Sequence, residues 1–380
     1  MFFPVVVHAL SVRGKGLAPC FAQAAAGLIL LAGLAASPTP AGAEPSLPAP
    51  GAANLSRQDR PPRKVLVGTV ISGYGFLSQP LEKRLQWLDD SVEKIATQAK
   101  TNYPDKRLDL VVLPEFLVSR PGDSLAQQAV RLEEVQPRLA ACASRHGCYL
   151  VVPSLLQEAN PSPRYSNAAL LVDRSGQIKG IYRKVHPVAP QGSDALEGGT
   201  TPGPDFPVFD CDFGRLGIQI CFDMLYADGW QALAKQGTEI VAMPSASPET
   251  VRPIGYALQH QYYIVSAAPR DHAAVFSPLG LIEAQVSEEG AVLVHQIDLS
   301  YSILHWEAAL EEGAALSRKY GNKVGFHYYP PEDMGIFWSN DPKTTIGQMI
   351  GSLGLTDSDT NIERVRRLQD KARGGPPIIP

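Results

Sequence analysis

Residues 217–224 read Gly217-Ile218-Gln219-Ile220-Cys221-Phe222-Asp223-Met224. The apolar run has the form of a buried strand, and a short helical pattern follows it. Cys221 therefore falls at a strand-to-helix turn. A nucleophile at such a turn projects its side chain and leaves backbone N–H groups beside it, which can hold an oxyanion. A lone cysteine at a strand end also fits a small buried hydrophobe, so the rest of the chain has to decide.

Two other strand ends carry chemistry. Leu110-Val111-Val112-Leu113-Pro114 leads into Glu115, and the strand Ile178 to Tyr182 leads through Arg183 into Lys184. Strand ends of α/β sheets are where ligand crevices form. A partly desolvated carboxylate there can take a proton from a thiol. A lysine near a cysteine lowers the thiol pKa and stabilises an oxyanion. Three strands thus end in Glu, Lys and Cys.

The surrounding pattern mixes βα alternation with hairpins. Lys64 to Val70 is a β-branched run, and Leu81, Leu85, Leu88, Val92 and Ile95 mark one face of a helix. Ser124 to His146 reads as one helix with a break at Pro137, and Tyr149 to Val152 as a strand. Asp173-Arg174-Ser175-Gly176 joins two strands in a hairpin, and a second hairpin turns at Phe213-Gly214. Strands over 239–243, 262–267 and 291–299 and helices over 228–235 and 250–260 complete the core. This predicts an α/β protein with a mixed sheet or two packed sheets and helices outside. Residues 301–380 are rich in aromatics but show no clear strand order. They are expected to pack on the core or on a partner subunit.

The three strings LPEF around Glu115, YRKVH around Lys184 and GIQICFDM around Cys221 resemble, in order and approximate spacing, the carbon–nitrogen hydrolase (nitrilase) superfamily. The resemblance covers about 64–300. It implies a four-layer αββα sandwich that pairs through a helical face into dimers or larger homo-oligomers, and a hydrolase domain over 63–300. It also implies that Cys221 attacks the carbonyl (or nitrile) carbon, that Glu115 is general base and then acid, and that Lys184 with the Phe222 N–H holds the oxyanion. Glu197, between the Lys and Cys motifs, matches a second glutamate that positions substrate and water. Pro244-Ser245-Ala246 resembles the substrate-pocket loop, with Ser245 in it, and Tyr165-Ser166-Asn167 a Tyr-Asn segment that shapes the site. Asp223 reads as structural. The implied substrate is a small linear amide or N-carbamoyl compound, with nitriles as the alternative. A Cys221–His260 hydrolase and a non-catalytic binding protein on the same fold are the competing readings.

Composition excludes other classes. The 380 residues are 44% hydrophobic and 19% charged, enough for a full core. With 34 basic and 38 acidic residues the net charge is −4, so the basic footprint of a nucleic-acid binder is missing. The eight histidines show no HxH or HExxH spacing, and no metal or other cofactor is expected. Cys142 and Cys148, six apart across a helix end, allow either a local disulfide or two free thiols. Arg13 and Lys15, the apolar stretch from Ala24 to Ala36 and Ala41-Gly42-Ala43 describe a signal peptide over 1–43. A Pro/Ala/Ser-rich flexible linker over 44–62 follows. The protein is expected to be exported, periplasmic or secreted, with no stable membrane insertion after cleavage.

Overall fold

The structure is a computed structural model that describes residues 56–159 and 162–374. The expected signal peptide, and the expected linker as far as residue 55, lie outside the described residues.

Two six-stranded mixed sheets form the centre. The first contains β1 (Lys64–Val70), β2 (Leu110–Val112), β3 (Tyr149–Ala159), β4 (Pro163–Val172), β5 (Ile178–Arg183) and β12 (Val292–Asp298), in the order β12-β1-β2-β3-β4-β5. The second contains β6 (Val208–Cys211), β7 (Gly214–Ile218), β8 (Ile240–Pro244), β9 (Tyr263–Ala267), β10 (Ala273–Phe276) and β11 (Ile282–Val286), in the order β11-β10-β9-β8-β7-β6. Each sheet has three parallel strands at its centre, β1-β2-β3 and β7-β8-β9, with antiparallel strands outside them.

Strand alternation builds the layers. Val65, Val67, Leu110, Val112 and Val151 face Leu216, Ile218, Ile240 and Val265 across the inter-sheet core. The intervening Leu66, Val70, Val111 and Leu150 face outward onto α1 (Leu81–Asn102) and α3 (Leu132–His146). A strand buried on both faces reads as an unbroken apolar run, which is why the central strands are visible in the sequence. On the second sheet, Val241, Ile264 and Phe276 pack beneath α4 (Ala227–Lys235) and α5 (Val251–His260), which contribute Trp230 and Ala257. Gly68 lets α1 lie close on β1, because a Cβ there would run into the Ile95 side chain. The result is the αββα sandwich.

Several expectations need correction. The helix expected over 124–146 is two helices, α2 (Leu125–Gln128) and α3, and the chain is extended at Ala129, where Val130 bridges to Leu156. Pro137 lies inside α3 and does not break it. Residues 56–62, expected as flexible linker, are held down. The Arg57 guanidinium lies 3.9 Å over the Tyr301 ring and donates to Tyr301 Oη at 2.8 Å and Gln261 Oε1 at 2.7 Å, while Arg60 pairs with Glu239. Of the two readings left open for Cys142 and Cys148, the structure has the second: both are buried free thiols.

The C-terminal region has more order than its sequence suggests. A three-stranded antiparallel sheet, β13 (Tyr301–His305), β15 (Met334–Ser339) and β14 (Val324–Tyr329), packs with α6 (Ala314–Tyr320) and α7 (Ile346–Gly351) around Leu310, Leu316, Phe337, Ile346 and Met349. Tyr301, Ile303 and Ile336 join the inter-sheet core. A final helix, α8 (Ser358–Arg373), closes the described chain.

Candidate active site

All the expected strand ends arrive at one edge of the sandwich. β2 and β3 are parallel, and β5 returns to the direction of β3 through antiparallel β4. Glu115, just past β2, and Lys184, directly after β5, therefore share an edge. Cys221 and Ser245 follow β7 and β8, which are parallel to each other. The two sheets are tied together at this edge by a parallel bridge between Ile71 and Ala268 and by Thr69 Oγ1 donating to the Ser266 carbonyl at 2.7 Å.

Glu115, Lys184 and Glu197 form a buried ion cluster. Lys184 Nζ donates to Glu115 Oε1 at 2.9 Å and to Glu197 Oε1 at 2.5 Å. Only 1% of the Lys184 and Glu115 side chains is exposed, so these charges are compensated by each other and not by water. The Asn167 amide Nδ2 bridges the two carboxylates, donating to Glu115 Oε1 at 2.8 Å and Glu197 Oε2 at 3.0 Å. The backbone N–H of Ala246 donates to the other Glu115 oxygen at 2.8 Å. Glu115 is thus an oriented carboxylate with donors on both oxygens. Burial disfavours the lysine charge, but Glu115, Cys221 and Glu197 outweigh it and hold the Lys184 pKa well above the ordinary value.

Cys221 sits at the start of a single 3₁₀ turn, Cys221–Leu225, with φ +44°. Its neighbours in function share that strain. Phe116, next to Glu115, has φ +59° and Glu197 has φ +41°. Non-glycine residues adopt this region at a cost of order 1–3 kcal/mol, and such residues cluster at functional sites. The N–H of Phe222 lies in the first turn of that helix, where backbone donors lack intrahelical acceptors.

The thiol departs from the expected electrostatics. Burial first, and the Glu115 carboxylate second, push the Cys221 pKa up to about 12, against the lowering effect of Lys184, of a hydrogen bond with Ser245 and of the Ala246 N–H. The expectation that lysine would make this thiol acidic fails because burial, and then the Glu115 carboxylate, outweigh the lowering effect of Lys184. A thiol raised in this way needs a base to become a nucleophile, and Glu115 is the carboxylate beside it that could serve as one.

Asp223 is the fixed point under the turn, and it is fully buried. It accepts from Tyr182 Oη at 2.7 Å, from the Ile220 N–H at 2.9 Å and from the His186 N–H at 2.9 Å, so it ties the Cys221 turn to the Lys184 segment. Asp223→Ala leaves buried donors without acceptors and is expected to destabilise the fold by about 2–4 kcal/mol in urea denaturation. Ser245 Oγ accepts from the Ser247 N–H at 3.1 Å and donates to the Ser247 carbonyl at 2.6 Å, shaping the loop that presents Ala246. Phe222 packs edge-on to Tyr226. His260 stands apart, its ring against Tyr256 and Tyr262 in the outer helical layer. Cys211, opposite Gly214 at a hairpin turn, is also remote.

Sequence reasoning placed Asn167 and Ala246 only in site-shaping segments and did not foresee that they donate to the carboxylates. Asn167 lay within the Tyr165-Ser166-Asn167 string noted for its resemblance. A backbone donor such as Ala246 carries no signature in residue type.

The chain has relatives among known proteins. The family model for carbon–nitrogen hydrolases matches residues 78–304. The chain is 29% identical over 223 residues to omega-amidase NIT2-B of Xenopus laevis, covering 52% of this chain and 79% of that protein. It is 29% identical over 168 residues to the deaminated glutathione amidase of Homo sapiens, covering 38% and 51%. Among solved structures it resembles Saccharomyces cerevisiae Nit3, a member of branch 10 of the nitrilase superfamily, with TM-score 0.51 and 22% identity over 63% of this chain and 90% of that one. An amidase from Nesterenkonia sp. gives TM-score 0.51 and 21% identity over 63% and 91%. At these identities the structural likeness is one of fold.

Proposed function

Because the chain belongs to the carbon–nitrogen hydrolase family, we propose that it hydrolyses the C–N bond of a small linear amide or N-carbamoyl compound through a thioester on Cys221. The observation that carries this reading is the buried Glu115–Lys184–Glu197 cluster at the sheet edge that also carries Cys221.

The steps balance on these groups. The Cys221 proton passes to Glu115 as Sγ bonds to the carbonyl carbon and the π pair moves to oxygen. Two of the three Lys184 N–H donors meet carboxylates. The third, with the Phe222 N–H, receives the oxyanion. Collapse breaks the C–N bond, and the leaving nitrogen takes the proton from Glu115. Water then attacks the thioester and gives a proton to Glu115, which returns it to Sγ. Glu197 holds Lys184 in place and, with Ser245, lines the path of substrate and water.

The omega-amidase relative makes ω-amides the first class to try. Ammonia release from short aliphatic amides, ω-amides, N-carbamoyl amino acids and nitriles, with Cys221→Ala in parallel, tests the reading. Release from one class, lost in the variant, is the expected result. No release from any class, with Cys221 inert to alkylation, would leave only a binding protein on this fold.

Two further parts belong to the same proposal. The chain is exported by its N-terminal segment. It also pairs with itself through the helical face of α4 and α5, a reading supported by Tyr226, Val251 and Leu258 standing exposed there.

A further inference from the structure

The last helix is attached to the body by one end only. Asp357 caps it, accepting from the Asp359 N–H at 3.1 Å, while its other oxygen accepts from Ser302 Oγ at 2.7 Å and the Ile303 N–H at 3.1 Å. Ser358 Oγ accepts from the His305 N–H at 3.0 Å, and Gln261 Nε2 donates to Asp359 at 2.9 Å. Beyond that first turn α8 contributes no buried residue, Ser358 being the only one.

Yet α8 is amphipathic. At 3.6 residues per turn, Ile362, Val365, Leu368 and Ala372 fall in a stripe about 120° wide. A stripe of this kind is ordinarily buried, but Ile362 is 46% and Leu368 54% exposed. Trp306, 57% exposed after β13, lines with Ile362 and Arg364 an open groove of about 680 Å³ beside the stripe.

The order of charges around the helix selects the occupant. Arg364 and Lys371 border the stripe on one side, and Arg366 and Arg373 on the other. Glu363 and Asp370 lie on the polar face with Arg367, away from the stripe. Two copies packed stripe to stripe would bring Arg364, Lys371 and Arg366 together, with Asp370 already paired to Arg373 and Asp359 held by Gln261. A phospholipid surface suits both features. The stripe enters the acyl boundary, the long basic side chains reach back to phosphate, and the acidic residues stay in water. An exposed tryptophan beside the helix fits the headgroup level.

We propose that α8 and Trp306 form a docking surface for an anionic phospholipid membrane. Helix α8 holds the enzyme against the membrane plane and leaves the catalytic edge untouched.

Amide hydrogen exchange of the full chain tests this locally. Vesicles of phosphatidylcholine alone are compared with vesicles containing phosphatidylglycerol, at low and high salt. Amides of 362–373 should exchange about tenfold more slowly with the anionic vesicles at low salt. They should be unchanged with the neutral ones. The double variant Ile362→Glu/Leu368→Glu should lose the effect while β1 and β9 keep wild-type protection, which shows that it is folded. Three results would each overturn the proposal: no slowing with anionic vesicles, equal slowing with both lipids, or slowing without lipid that rises with protein concentration. The last would assign the stripe to a second copy of this chain.

Discussion

Glu115→Gln is expected to stop hydrolysis and at the same time make Cys221 more acidic. The two effects point in opposite directions for a simple thiolate enzyme, so together they are diagnostic. Glu115 accepts hydrogen bonds on both oxygens, from Lys184 and Asn167 on one and from Ala246 on the other. A glutamine keeps the shape but has no basic oxygen for the thiol proton. Loss of a positioned general base costs about 10²–10⁴ in rate. The carboxylate is also the second largest reason, after burial, why the Cys221 pKa stands at about 12. Removing its charge leaves the lowering effect of Lys184 less opposed, so the thiolate should form at lower pH than in the parent. Thiolate absorbance near the far ultraviolet, titrated with pH and referenced to Cys221→Ala, reads the acidity, and ammonia release reads the rate. A variant with a lower thiol pKa and no turnover fits a base that works during attack. A variant that keeps most of its turnover would mean that another group takes the proton.

Lys184→Met carries the largest expected loss of stability. The variant has similar length and no charge, and it leaves Glu115 and Glu197 facing each other without the cation both now contact. Removing one partner of a buried ion cluster costs about 3–5 kcal/mol, because the remaining charges are uncompensated. In the variant the two carboxylates favour sharing a proton, so their folded pKa is raised above the unfolded value. The folded state then binds more protons than the unfolded state, and stability should rise as pH falls from 7 toward 5. Adding Glu197→Gln should recover part of the loss at pH 7, while activity stays absent. Urea denaturation of the single and double variants at both pH values checks this. Equal stability of parent and Lys184→Met at pH 7 would contradict the picture of a lysine that neutralises a buried pair.

The candidate site edge was legible because its residues follow short runs with the form of buried strands. Leu110 to Leu113 is apolar on both faces, Gly217 to Ile220 is broken only by Gln219, and the first charged or reactive residue after each run falls at a strand end. Less was legible where packing overrides pattern. The strands at Ala273–Phe276 and Ile282–Val286 are short and contain alanine and glutamate, which favour strands weakly. The C-terminal sheet was hidden by Gly325 and Gly335, which interrupt its strands; a Cβ at Gly325 would collide with the Trp338 indole that covers it. Acidity of the thiol was misread for a different reason. Its sign depends on how deeply the group is buried and on how many carboxylates compete for one lysine, and neither is a property of local sequence.

The uneven charge of this cluster also bears on how a turnover ends. Two carboxylates stand against one ammonium, so the resting pocket is one negative charge in excess. The scissile amide group is neutral and adds no charge beside Glu115 and Glu197 as it enters. The acid formed by the proposed hydrolysis would place a third carboxylate beside Glu115 and Glu197, where Lys184 is already shared between two. Like charges at this range in a buried setting repel by several kcal/mol. On the proposed reaction, the pocket would therefore repel its own product, and departure would favour the forward direction along with bond cleavage.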